Sequence, residues 1–465
     1  MLTLFDHDAR QNRRAFLRIG GTALFGGGSV ALAGLHAQAQ EVPDLLTGKS
    51  VIFVFLHGGP SQFETFDPKM SRPEGIRSAT GELATRIPGV TFGGTFPRLA
   101  ALADRLTVVR SYVPGDANHD IKPLVGANTF GANLGSVFAR AAGPNHPGTG
   151  QPTNVLLFPR AVDPSTQAGT MKFGRFDATG PLSSADAPFI PSIDDLSSGG
   201  LALNLSRNRL DDRRHLLAEL DNVARRLERA RAVEGVDRIR DQAYRLLTGG
   251  LADAFDWARE DPRLVARYDT APLVRPEQID RKWKNYNNYV DNSKSLGKLL
   301  LLARRLCERG CGFVTVTTNF VWDMHADVNN APIEEGMRYM GRPLDHALAA
   351  LIEDLHARGL QEKILLVVCG EMGRTPRINP RGGRDHWGQL GPLILAGGGF
   401  PMGRVIGRSD RDGSAPQSEP ITPRHLSATI LHTLFDVGRL RLLPNLPREF
   451  AQTMASWEPI PGLTT

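Results

Sequence analysis

The chain is poor in several features that would assign its class quickly. It has 465 residues and three cysteines, Cys307, Cys311 and Cys369. No CxxC spacing accompanies them, which argues against a cysteine zinc site. Cys307 and Cys311 are four apart and read as packed thiols on the last turn of a helix. Lysine is scarce beside arginine, and the net charge of +6 is spread out rather than gathered into a basic block. That excludes the usual electrostatic footprint of a nucleic-acid binder. The chain has no internal repeat. Nor does it hold a firmly apolar run of the ~20 residues that a membrane span needs. What remains is a globular composition, 41% hydrophobic and 22% charged. The length allows one large α/β domain with an insertion, or two domains.

The N-terminus carries the paired Arg13 and Arg14 in "NRRAFLRIGG". A glycine-diluted apolar stretch follows, and then "HAQAQ", a small-residue pattern that places cleavage after Ala39. This resembles a twin-arginine signal, which implies the twin-arginine export machinery as a partner and a periplasmic or extracellular destination. Residues 1–39 are then a signal peptide and 40–465 the mature chain, with no stable transmembrane anchor after cleavage.

"VIFVFL" (51–56) and "KILLVV" (363–368) are continuous apolar runs rather than alternating ones. This is the pattern of strands covered on both faces, as in a parallel sheet. Weaker strand candidates are 105–113, 154–159, 312–318 and 392–397. Between several of them lie amphipathic helical patterns, 295–310, 342–359 and 423–438, each ending in glycine. Alternating helices and strands predict a doubly wound, mostly parallel α/β sheet with helices on both faces. Residues 205–290 are charged and lack a strand candidate, so they read as a helical insertion.

Chemistry-bearing residues follow the strands. His57 follows 51–56, and Asn118-His119-Asp120 lies beyond 105–113. Asp323 and His325 follow 312–318, Glu371 and Arg374 follow 363–368, and Asp385-His386 precede 392–397. In an open parallel sheet, ligands bind at the carboxyl ends of strands. Carboxylates and imidazoles delivered to one edge suit a metal-assisted hydrolase. The expected ligands are His57, Asp323, His325, Glu371 and His386, with Asp385 and Asp67 behind them as orienting groups. The donor mix admits zinc, calcium or manganese. The "HGGP" that follows the first strand also matches the oxyanion loop of serine hydrolases. Those enzymes need a G-x-S-x-G elbow, which the mature chain does not contain.

Taken together, the twin-arginine leader, "FLHGGPSQFETFDPK", "LLLARRLCERGCGFVTV", "WDMH", "GEMGRTPRIN", "GGRDHWG" and "LILAGGG" resemble the exported bacterial family called domain of unknown function 1501. The resemblance runs from about residue 13 to residue 438. That family is similar in turn to the alkaline phosphatase and sulfatase superfamily, which implies an alkaline-phosphatase-like fold. The same resemblance implies hydrolysis of a sulfate or phosphate ester, with a small anionic ester or cell-surface substrate. On it, His57 and Glu371 take metal-ligand places and His119 falls where the nucleophile would be; Arg374, through its planar fork, is the expected contact to the anion. The chain departs from the superfamily in lacking a Cys-x-Pro-Ser-Arg motif and a clear Ser or Thr nucleophile. A non-catalytic binding protein on the same scaffold is the alternative.

Overall fold

The structure, a computed structural model, describes residues 45–193, 252–443 and 446–463. The signal segment, the junction at Ala39 and most of the expected helical insertion lie outside these residues. The described part of that insertion, from Ala252 onward, is helical and contains no strand, as in Pro262–Tyr268.

Eleven strands are described: β1 Ser50–Phe55, β2 Glu82–Ala84, β3 Thr91–Gly93, β4 Thr107–Val109, β5 Asn154–Leu157, β6 Phe313–Thr317, β7 Ile364–Cys369, β8 Gly373–Arg374, β9 His386–Trp387, β10 Leu393–Gly397 and β11 Arg404–Ile406. Seven form the central sheet in the order β11-β4-β10-β7-β1-β6-β5. Only β10 runs against the others, antiparallel to both β7 and β4. The two small hairpins β2-β3 and β8-β9 stand apart from it.

Side chains alternate across a strand, and in β1 the alternation divides two cores. Ile52 and Val54 belong to one apolar cluster, with helices α2 (Tyr286–Glu308) and α3 (Ile333–Ala357). Val51, Phe53 and Phe55 belong to the other, with α1 (Leu134–Ala142), α4 (Pro423–Leu434) and α5 (Arg448–Ala455). Both faces are therefore covered, which is why β1 and β7 read as unbroken apolar runs. Each such buried side chain contributes about 1.5–3 kcal/mol. The result is the expected doubly wound, mostly parallel α/β arrangement.

Two helices begin earlier than their sequence patterns. The expected helix at 295–310 starts at Tyr286. Its first turns bury polar residues that carry no apolar stripe: Asp291 accepts from the Gln167 amide, Asn292 from Thr318, and Ser293 donates to Val274 O. The helix expected at 342–359 starts at Ile333, with Pro343 inside it rather than in its first turn. β11 has no counterpart in the sequence reading, and its burial is only partial throughout.

Candidate metal centre

Strands β1, β6 and β7 lie in register, with Phe55 opposite Thr317 on one side and Cys369 on the other. The segments that follow them therefore emerge together at one edge. Gly58 turns the chain there with φ +118°; a Cβ on it would lie 2.6 Å from Asp323 N and 2.8 Å from Trp322 N. The gap lets the 321–323 main chain pass close by, with Trp322 N donating to His57 O at 3.0 Å. This contact delivers Asp323 to the end of β1. The hairpin β8-β9 brings His386 to the same place, and the loop after β4 brings His119.

Four side chains converge: one ligand atom each from His119, Asp323, His325 and His386 lies within 4.8 Å of the others. Asp323 Oδ1 is the hub. It is 2.8 Å from His325 Nε2, 3.1 Å from His386 Nε2 and 3.5 Å from His119 Nε2. Burial acts to raise the Asp323 pKa, but the Arg374 guanidinium and the three imidazoles outweigh it and hold the carboxyl well below the usual carboxylate range. For His119, burial acts to lower the pKa, and bonding to Asp323 and Glu371 raises it overall. The His325 and His386 side chains keep 23% and 27% exposure, so the centre opens to solvent on their side.

The far nitrogens of two of the rings are hydrogen-bonded, and the third faces a carboxylate. His119 Nδ1 is 3.1 Å from Glu371 Oε1, His386 Nδ1 is 3.1 Å from Ala117 O, and His325 Nδ1 is 3.8 Å from Asp385 Oδ1. A carbonyl only accepts, so His386 Nδ1 carries a proton, and the neutral ring would direct an Nε2 lone pair inward. The same tautomer suits His119, whose Nδ1 faces Glu371 Oε1 at 3.1 Å. In neutral rings of that tautomer, Nε2 lone pairs would face one carboxylate oxygen, and His325 Nε2 also lies 3.2 Å from His386 Nε2; with no cation present, protonated rings can donate to Asp323 instead. A divalent cation can take the place of those protons between the rings and Asp323. Metal-bound histidines characteristically donate their other N–H to an oxygen in this way, so the residues fit a divalent metal.

Several expected residues occupy other places. Glu371 and His57 lie outside the group of four. Glu371 is fully buried; its carboxylate accepts from Gly58 N at 2.9 Å and faces His119, so it orients that ring. His57 is fully buried, within a cage of Phe55, Phe176 and Phe320. Neither of its ring nitrogens meets hydrogen-bond geometry with a described residue. Burial lowers its pKa most, offset in part by Glu371, Asp323 and the Phe173 main chain. His119, expected at the nucleophile position, stands among the four.

Arg374 departs furthest from expectation. It is fully buried, and it donates to Asp323 Oδ1 at 2.7 Å, Gly59 O at 2.7 Å, Arg384 O at 3.2 Å and Gly58 O. A guanidinium so committed cannot turn toward a substrate anion. Asp385, expected behind the ligands, lies beside His325, with Oδ1 3.8 Å from its Nδ1. Asp67 pairs with Lys69 at 3.2 Å and accepts from Ser409, with no contact to the four.

One supporting pair escaped the sequence reading. Arg384, fully buried, pairs with Glu64 at 2.9 Å and donates to the carbonyls of Ile76 and Arg77 at 3.0 Å each. Its guanidinium also lies 4.3 Å from the centre of the Phe63 ring. It pins the hairpin that carries His386. The partners are 320 residues apart, so no local pattern joins them.

Among solved structures, the chain is similar to the PsFucS1 sulfatase from Pseudoalteromonas sp., at 13% identity and TM-score 0.36, over 83% of this chain and 67% of that one. It is similar to the C-terminal periplasmic domain of EcEptC from Escherichia coli, in complex with Zn, at 11% identity and TM-score 0.32, over 90% and 92%. A phosphonate monoester hydrolase of Agrobacterium radiobacter matches at 11% identity and TM-score 0.31, over 83% and 73%. No curated protein matches the chain. The family model described as Protein of unknown function (DUF1501) matches residues 48–442, and the chain belongs to that family.

Proposed function

We propose that the protein is an exported metal-dependent hydrolase of sulfate or phosphate esters, with one divalent ion held by Asp323, His119, His325 and His386. The observation that carries this is the convergence of four ligand atoms within 4.8 Å at the carboxyl edge of the sheet. Three imidazoles and one carboxylate suit zinc or manganese better than calcium, which takes oxygen ligands. A bound ion supplies Lewis acidity at the ester oxygens and lowers the pKa of water.

The chain's own residues would do the rest. Asp323, kept ionised beside Arg374, supplies the negative charge of the site. Glu371 and Ala117 O hold the His119 and His386 rings with their Nε2 atoms inward, and Asp385 lies near the His325 ring. No Ser, Thr or Cys side chain among the described residues hydrogen-bonds to the four, and the three cysteines are buried. The reading therefore uses water, not a side chain, as the attacking group. The same lack supports the second reading, a non-catalytic periplasmic or surface binding protein.

Aryl sulfates and phosphate mono- and diesters, assayed with added zinc or manganese, separate the two. Turnover lost in His386→Ala supports the hydrolase. No turnover of any ester, by a protein that binds inorganic sulfate or phosphate, supports the binding protein. Delivery through the twin-arginine machinery belongs to the same proposal. Replacing Arg13 and Arg14 with Lys should trap the precursor in the cytoplasm, and unchanged export of that variant would refute the route.

A further inference from the structure

One flank of the centre is walled by phenyl rings that the ligand geometry does not require. Phe320 and Phe173 are stacked, with ring centroids 4.2 Å apart, and they lie 4.5 and 5.5 Å from the His119 ring. Phe320 is buried, whereas Phe173 remains partly open. Phe173 and the exposed Lys172 are the two central residues of a tight turn, closed by Gly174 N donating to Met171 O at 3.3 Å. Lys172 Nζ lies 5.3 Å from the centre of the Phe173 ring.

The turn is fixed at three points. Thr170 N donates to Asn319 Oδ1 at 3.2 Å, next to Phe320 in the chain. A Cβ on Gly174 would meet Ile121 Cγ2 at 2.4 Å, so the turn sits directly against the loop that carries His119. Phe176 is fully buried in the core. A partly open ring on a rigid turn, beside a cation and a candidate metal centre, has the makeup of a ligand subsite. Such sites are mostly apolar, with a few placed polar groups.

We infer that Lys172 and Phe173 form a subsite for the alcohol half of the ester, and that this half is a ring, aromatic or pyranose, lying against the part of Phe173 that Phe320 leaves open, with the flexible Lys172 side chain moving aside to admit it. The inference rests on the proposed hydrolytic centre and names its substrate class. Arg374 is occupied by main-chain carbonyls and Asp323, whereas Lys172, exposed beside the Phe173 ring, is a cation that the turn offers to negative charge carried on that ring.

Binding to the zinc-loaded mature protein tests this by calorimetry, with inorganic phosphate, ethyl phosphate and 4-nitrophenyl phosphate as probes and the corresponding sulfates in parallel. The aryl ester should bind about tenfold more tightly than the ethyl ester, as an aromatic pair allows. Phe173→Leu, which keeps apolar bulk without a ring face, should remove most of that advantage and leave inorganic phosphate or sulfate unchanged. Phe173→Tyr should retain it. An aryl advantage undiminished in Phe173→Leu would overturn the subsite, as would an equal loss for the inorganic anion. If the zinc-loaded wild type binds neither inorganic anion nor any ester, the centre itself is misread and the subsite falls with it.

Discussion

A single buried guanidinium sets the charge of the centre. Arg374 faces Asp323 at 2.7 Å with both groups almost wholly out of water. Removing one member of a buried pair costs about 3–5 kcal/mol, because the other charge is left uncompensated. Arg374→Met should destabilise the fold by that amount in urea denaturation. Arg374→Lys, which keeps the charge but cannot reach several carbonyls at once, should lose less. A loss under ~1 kcal/mol for Arg374→Met would contradict the role given to it. Glu371 is a gentler probe. Its carboxylate faces His119 Nδ1, so Glu371→Gln should weaken metal binding by about 10–100-fold, the usual cost of losing an orienting oxygen. His325→Ala should weaken it more. An ordering in which Glu371→Gln is the worse variant would return Glu371 to the ligand set. These roles were not legible from residue types alone. Glu371 and Arg374 read as ligand and anion contact because acidic and basic residues after a strand look the same whether they face a ligand or a neighbouring side chain and main chain.

At the scale of elements, the centre depends on how tightly the ends of the strands pass. Gly58 adopts φ +118° against the Trp322–Asp323 main chain. A methyl group there meets backbone, which cannot move aside as a side chain can. Gly58→Ala should therefore cost at least about 2 kcal/mol, read as a lower unfolding midpoint. A variant as stable as the wild type would show that the close approach is not needed. Helix α3 carries a second test. Asp345 is buried, and its carboxylate accepts from Arg98 N and Leu99 N at 3.1 and 2.8 Å. Burial pushes its pKa up to about 6 from 3.8, against the pull of those amides. The folded state thus holds a proton that the unfolded state releases earlier. The stability from this group is full below pH 3.8 and declines as pH rises to about 6. The span amounts to about 3 kcal/mol. Asp345→Asn should flatten the decline, seen as a stability difference from wild type that changes between pH 4 and 6. A constant difference would refute it. Elements were legible where apolar patterning was strong, as in β1 and β7. They were lost where burial is polar, as in the first turns of α2, where proline sits inside a helix, as Pro343 does in α3, and where burial is partial, as in β11.

For the whole molecule, the convergence of residues on one edge was readable because a parallel sheet sends its strand ends to one side. Asp323, His325 and His386 were named from that rule and lie together. The rule did not separate His119 from His57. Both follow strands, and only the packed structure shows one ring turned toward Asp323 and the other enclosed by phenyl groups. Nor could it find the Glu64–Arg384 pair, whose energetic reason exists only once distant segments meet. A metal bound to the folded chain alone also stabilises it by mass action, about 2.7 kcal/mol at a concentration of 100 times the dissociation constant. Chelation should accordingly lower the unfolding temperature, and excess zinc should restore it.

The central claim, that Asp323, His119, His325 and His386 hold a divalent ion, is tested most directly by the metal content of the purified mature protein. Elemental analysis of the wild type is compared with a His325→Ala, His386→Ala double variant whose circular dichroism matches it. The account predicts about one divalent ion per wild-type chain, as befits a single four-ligand site, and almost none in the double variant. A wild type that stays metal-free after loading with zinc or manganese would contradict it, as would a double variant that retains its ion.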